Sequence, residues 1–136
     1  MRRTFLYAKV HRAVVTAADL EYVGSLTLDH ALMEAAGLLP NQKIEIYNVD
    51  RGTRLSTYLI PGPAGAGDCC VNGAAAHLCG AGDRVIICAY AEMEDHEIDG
   101  HVPRVVIVEG DNRQFRLGEG ETPHTRFEEH AESRPR

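Results

Sequence analysis

The sequence predicts one small mixed β-barrel. Three features carry that expectation: several short segments that alternate or are rich in β-branched residues, brief helical stretches between them, and turn residues at short intervals. A chain of 136 residues is long enough for one hydrophobic core and too short for two. Pattern alone leaves the strand order open.

Thr4 to Val15 alternates loosely and reads as a strand, which sets Lys9 and His11 on one face. Thr27 to Ala36 reads as a helix with an apolar stripe of Leu28, Ala31, Leu32 and Ala35; Thr27 or Asp29 caps its start and Gly37 closes it. Ile44 to Val49 and Arg54 to Ile60 form a hairpin around Asp50-Arg51-Gly52. In its second strand Arg54, Ser56 and Tyr58 share one face, while Leu55, Thr57 and Leu59 share the other. Thr57 and Tyr58 therefore meet in one pocket only if that strand bends or ends. Pro61 to Gly67 is a loop, Cys69 to Asn72 a short strand, and Gly73 to His77 the start of a small helix. After the Gly80–Asp83 turn come a buried strand, Arg84 to Ala91, and a last strand, Arg104 to Val108. The barrel domain spans residues 1–117. Residues 118–136 carry one large hydrophobe, Phe127, among Glu, Arg, His and Pro, and read as a disordered tail.

The formal net charge of −6 argues against nucleic acid as a partner, since such proteins concentrate basic residues on one surface. No apolar run approaches the roughly 18 residues that span a bilayer, and the N-terminus lacks the apolar core of a signal peptide, so a cytoplasmic location is expected. Cys69, Cys70, Cys79 and Cys88 contain no Cys-x-x-Cys pair, and neither a metal site nor a disulfide is expected. Lys9 or Lys43 offers an amine for pyridoxal phosphate, but no Gly-rich phosphate cradle accompanies them, and that cofactor is not expected.

The most informative stretch is Tyr22-Val23-Gly24-Ser25. Glycine tolerates a strained peptide bond, and the Ser25 hydroxyl lies within reach of the Gly24 carbonyl. An N-to-O acyl shift there gives an ester, and elimination leaves a ketone in place of serine. A Gly-Ser dipeptide by itself is most often a turn. Here it stands with Lys9-Val10-His11-Arg12, Arg54-Leu55-Ser56-Thr57-Tyr58, Val71-Asn72-Gly73-Ala74-Ala75-Ala76-His77 and Glu109-Gly110-Asp111-Asn112. In this order and spacing the set closely resembles the bacterial aspartate 1-decarboxylase family, from about Arg3 to about Asn112.

The resemblance implies a double-psi β-barrel and cleavage between Gly24 and Ser25. The products would be a β chain of residues 1–24 and an α chain of residues 25–136 that begins with a covalent pyruvoyl group made from Ser25. That ketone would serve as the electron sink that decarboxylation needs, condensing with the substrate amine as a Schiff base. The implied reaction takes L-aspartate to β-alanine and carbon dioxide for pantothenate synthesis. Tyr58 is implied as proton donor, a phenol whose hydroxyl can deliver a proton to the carbanion. Thr57 is implied in substrate binding, with a hydroxyl that also serves self-cleavage. For the two carboxylates of aspartate, Arg54 offers a two-pronged donor and Lys9 a compact charge. Asn72, Gly73, Ala74 and Ala75 add backbone N–H groups at a helix start. His11 can orient a carboxylate or a water, and Tyr22 can line the cleavage site.

The resemblance also implies a homotetramer of processed protomers, four α and four β chains, with an accessory maturation factor as a further candidate partner. Tyr47, the Pro61–Gly67 loop and Cys69-Cys70 depart from the family pattern, whereas the residues of the expected site are all present. Two other readings stay open at this point. One is a pyruvoyl decarboxylase for another acidic amino acid such as glutamate, because Lys9 and Arg54 specify charge rather than chain length. The other is a non-catalytic barrel module whose Gly24-Ser25 is a turn.

Overall fold

Alternating side chains drive most of this chain into strands, and the computed structural model describes residues 1–118 and 120–123. In chain order the elements are β1 (Arg2–Val14), β2 (Ala17–Asp19), β3 (Ser25–Asp29), α1 (His30–Ala36), β4 (Lys43–Asn48), β5 (Arg54–Gly62), β6 (Cys69–Asn72), a 3₁₀ turn (Gly73–His77), β7 (Arg84–Glu94), α2 (Asp95–Ile98), β8 (Arg104–Val108) and β9 (Phe115–Leu117). The fold is mainly β with short helices and barrel-like. Its single sheet runs β2-β6-β3-β5-β4-β7-β1-β8-β9, and no hydrogen bonding between β2 and β9 closes it among the described residues. Three pairings are parallel, β1 with β8, β2 with β6 and β3 with β5, each joining strands distant in sequence. Val10, Leu26, Leu28, Ile46, Leu59 and Ile87 are among the side chains fully buried inside.

The helix expected from Thr27 is shorter than the apolar stripe implies. Thr27 and Leu28 belong to β3, and α1 begins only at His30. Leu26 and Leu28 both point inward, a period of two that pairs Leu26 with Leu59 on one side and Val71 on the other. Sheet pairing has overridden the helical stripe. The expected caps hold: Asp29 accepts from the Ala31 N–H at 2.8 Å, and Gly37 closes the helix at a φ of 72°. Asp29 is fully buried and also accepts from the N–H groups of Gly65 (3.0 Å) and Gly67 (2.8 Å). One carboxylate thus fixes both the end of β3 and the loop beyond β5. That loop starts later than expected, because β5 runs on through Gly62 by pairing with β3.

Asn112, from the Glu109–Asn112 segment, has a structural place. Its side chain accepts from the Val14 N–H and donates to the carbonyls of Val14 and Gly67. Of the expected tail, Gly118 donates its N–H to the Val105 carbonyl at 2.7 Å, Gly120 is buried, and Glu121 reaches Lys9. Residues 119 and 124–136, Phe127 included, lie outside the described residues.

The β4–β5 turn is held by side chains. The Asn48 carbonyl oxygen accepts from the N–H groups of Asp50 and Arg51, while its amide donates to Asp83 at 2.9 Å. Asp83 also accepts from the Gly80 N–H and the Arg51 guanidinium. The Asn48 bond first, then the Gly80 bond, holds this carboxyl below its ordinary 3.8, with Arg51 adding to the effect. A carboxyl depressed in the folded state stabilises fully above its unfolded pKa, and that stability is lost as pH falls through the folded value. Asp83→Asn should therefore lose stability at pH 7, and the gap to the unaltered chain should begin to narrow below about pH 4 and close as pH falls through the lower folded value. Urea titrations at both pH values check this; a gap independent of pH would assign Asp83 a purely steric role.

Candidate functional site

The Gly24-Ser25 junction sits where β3 begins, beside the end of β6. Ser25 is 1% exposed although it adjoins an open loop in which Leu20, Tyr22 and Val23 are 52%, 65% and 77% exposed. Its pairing with Asn72 across β3 and β6 puts both side chains on one face. The Asn72 amide spends its two N–H donors there, on the Ser25 hydroxyl at 3.2 Å and on the Thr27 hydroxyl at 3.1 Å. The Ser25 hydroxyl in turn donates to the Val23 carbonyl at 3.4 Å. Thr27 is a member of this site that the sequence reading missed, because a helical assignment hid that it lies two residues from Ser25 on one strand face.

The unusual backbone belongs to Gly73 rather than to Gly24. Gly73 has a φ of +71°, whereas Gly24 is not in the left-handed region. A Cβ on Gly73 would stand 2.6 Å from the Gly24 Cα and 2.8 Å from its nitrogen. The start of the 3₁₀ turn is thus pressed onto the junction, and only glycine permits the approach. The helix expected here is a five-residue 3₁₀ turn, too short to build the dipole of a longer helix. Ala74 is exposed and Ala75 half-buried beyond it.

A second group lies on the outer face of β5, β4, β7 and β1. Cross-strand partners share a face, and the registers align Ser56, Glu45, Cys88 and Lys9 in one row, with Arg54, Tyr47 and Ile86 in the next. The Arg54 guanidinium lies 4.2 Å over the Tyr47 ring, and the Tyr47 and Tyr90 hydroxyls are 2.8 Å apart. Lys9 meets the Glu121 carboxylate at 3.1 Å with its side chain only 16% exposed. Burial raises the pKa of the Cys88 thiol, against the opposing charge of Lys9 and a bond with Tyr90, so it carries no reactive thiolate. The Tyr47–Tyr90 pair also lines a cleft of about 510 Å³ with Lys43, Glu45, Cys88 and Glu92.

Tyr58 links the two groups. It is on the face of Arg54 and Ser56, as the alternation predicts, and the β3–β5 register brings its strand alongside Ser25. Thr57 faces the other way and pairs with the buried Ile44, since β5 neither bends nor ends there. It does not share the Tyr58 face. His11 is half-buried at a bulge of β1, next to Arg12 with its φ of 66°. Tyr22 turns its side chain to solvent. Along the sheet, Lys9 is four strands from Ser25, about 19 Å at the usual strand spacing. No cluster of His, Cys, Asp and Glu arranged to hold a metal occurs among the described residues.

The family model described as aspartate decarboxylase matches residues 1–115. The chain belongs to the aspartate decarboxylase family. It is 52% identical over 118 residues to the aspartate 1-decarboxylase of Syntrophobacter fumaroxidans, covering 87% of this chain and 95% of the relative. It is 50% identical over 118 residues to that of Carboxydothermus hydrogenoformans, covering 87% and 93%. It is also 50% identical over 125 residues to that of Neisseria meningitidis, covering 92% and 98%. Against that family background, the Gly73–Gly24 contact and the Asn72 bridge lie on the motifs that first pointed to it.

The packing at Gly73 is open to test with Gly52 as a control, since Gly52 has a φ of +76° and nothing near its missing Cβ. Gly52→Ala should cost about 1 kcal/mol from backbone strain alone. Gly73→Ala adds a backbone clash and should cost about 3 kcal/mol or more in urea unfolding. Equal losses would show that the junction relaxes without cost.

Proposed function

We propose that this chain cuts itself between Gly24 and Ser25 and then decarboxylates L-aspartate at its α-carboxylate, giving β-alanine and carbon dioxide for pantothenate synthesis in the cytoplasm. The observation that carries the reading is the buried Ser25 hydroxyl, held by Asn72 beside a peptide on which Gly73 is pressed, in a chain of the aspartate decarboxylase family. A pyruvoyl group made from Ser25 fits this junction: the Asn72 amide already donates to the Ser25 oxygen and is itself anchored on the Thr27 hydroxyl, and Gly73 leaves room for backbone to approach. When formed, that group supplies the electron sink that unmodified side chains lack.

The chain's own residues supply the rest. Asn72 orients the Ser25 oxygen with one N–H, leaving a lone pair for the neighbouring carbonyl, while the Val23 carbonyl takes the hydroxyl proton's direction. Tyr58 stands on the strand next to Ser25 and delivers the proton that replaces the departing carboxylate. Arg54 and Lys9 bind the substrate carboxylates. Because Lys9 lies four strands from Ser25 along the sheet of one chain, we assign the complete pocket to a homotetramer of processed protomers, in which a neighbour brings its outer face to the junction. The exposed Leu20, Tyr22 and Val23 beside the cut suit such a contact.

Denaturing mass spectrometry should find two fragments, residues 1–24 and the remainder, and Ser25→Ala should give one intact, inactive chain. An unaltered chain that stays whole after prolonged warming, with any maturation factor supplied, would make it a non-catalytic module. Equal rates on aspartate and on an uncharged amino acid would overturn the substrate class.

A further expectation concerns Glu121, whose carboxylate competes with substrate for Lys9. Glu121→Gln should lower KM for aspartate about 2–5-fold with kcat unchanged, the scale of a partly exposed ion pair. A KM that does not move would leave the Lys9–Glu121 pair without influence on binding.

A further inference from the structure

Tyr47 and Arg54 are direct cross-strand partners on β4 and β5, and Tyr90 lies on β7, the strand on the other side of β4. Tyr47 is level with Ile86, so Tyr90 lies four residues further along β7, about 13 Å at the usual rise. Two phenol side chains reaching toward one another close that gap, and their hydroxyls meet at 2.8 Å. The bond lays the Tyr47 ring along the sheet surface, with one face presented to Arg54. The guanidinium lies over that face, 4.2 Å from the ring centre.

We propose that Tyr47 and Tyr90 are positioning residues for Arg54, a bracket that presets the plane of its guanidinium for a substrate carboxylate. The inference rests on the assignment of Arg54 to substrate made above. A guanidinium stacked on a ring keeps its N–H edge free at the rim while losing the freedom to turn out of plane. Two-pronged binding of a carboxylate needs that edge in a fixed orientation. Tyr90 bonds to Tyr47 and not to Arg54. It acts by tying down Tyr47, whose ring would otherwise turn about its side-chain bonds. The hydroxyl bond to Tyr47 also raises the pKa of Tyr90, so the pair stays neutral and bonded across the physiological range. Lysine at position 54 would keep the charge and lose both the stacking and the fork.

Steady-state kinetics on processed enzyme, with the cleaved fraction of each variant measured by mass spectrometry, tests the bracket. Tyr90→Phe and Tyr47→Phe remove the same hydrogen bond and keep both rings. Each should raise KM for aspartate about 3-fold, the scale of one exposed hydrogen bond, and leave kcat unchanged. The double variant should be no worse than either single one. Tyr47→Leu also removes the ring and should raise KM about 10-fold. Placed on Arg54→Ala, Tyr90→Phe should have no further effect. If Arg54→Ala raises KM while the tyrosine variants leave it unchanged, or if the two Phe substitutions add, the bracket is wrong and the role of Arg54 stands. If Arg54→Ala itself leaves KM unchanged, the assignment of Arg54 to substrate fails, and the bracket with it.

Discussion

The close approach of Gly73 to Gly24 is the constraint on which the rest of the site depends. It brings the end of β6 and the start of β3 together at a spacing no larger residue at position 73 allows. That spacing lets one Asn72 amide span the Ser25 and Thr27 hydroxyls at once. The same contact buries Ser25 although Tyr22 and Val23, just before it, are open to solvent. A serine hydroxyl held by a neutral amide in a dry corner keeps its orientation without adding a charge that burial would penalise.

Charge is placed on the opposite principle. Lys9 and Arg54 stand on the outer face, each met by a group that balances it, Glu121 for the ammonium and the Tyr47 ring for the guanidinium. The inner face between them is apolar. β5 joins the two regimes, because its outward side chains run from Arg54 at its start to Tyr58 at its middle, just before the stretch that pairs with β3. A regular strand makes the separation of those two groups a fixed length, set by backbone geometry rather than by side-chain packing.

Much of this is legible in the sequence. The hairpin, the shared face of Arg54, Ser56 and Tyr58, and the Asp29 and Gly37 caps follow from period and local chemistry, and each is present. The Gly24-Ser25 junction and Asn72 were legible as motifs. Thr27 was not, because Leu28, Ala31, Leu32 and Ala35 fit a helical stripe, and only the pairing of β3 with both β5 and β6 reveals the strand. Tyr47 and Tyr90 are 43 residues apart, and their contact depends on the order of β4 and β7. Local pattern carries no information on strand order. Glu121 stood in a segment that composition marked as tail, and its partner Lys9 is 112 positions away.

The place of β1 has a consequence for the life of a cut chain. β1 is an interior strand, hydrogen-bonded along most of its length to β7 and over a shorter stretch to β8, and β2 is paired to β6. Both lie in residues 1–24, and all their partners lie beyond the cut. Cleavage at Gly24 would therefore leave the short piece woven into the sheet, with its release opposed by the whole ladder. Unfolding would set it loose, and reassembly would then be an encounter between two separate polypeptides, slower as the protein is diluted. An uncut chain would refold as one polypeptide, whereas a cut one would keep its shape chiefly by opening rarely.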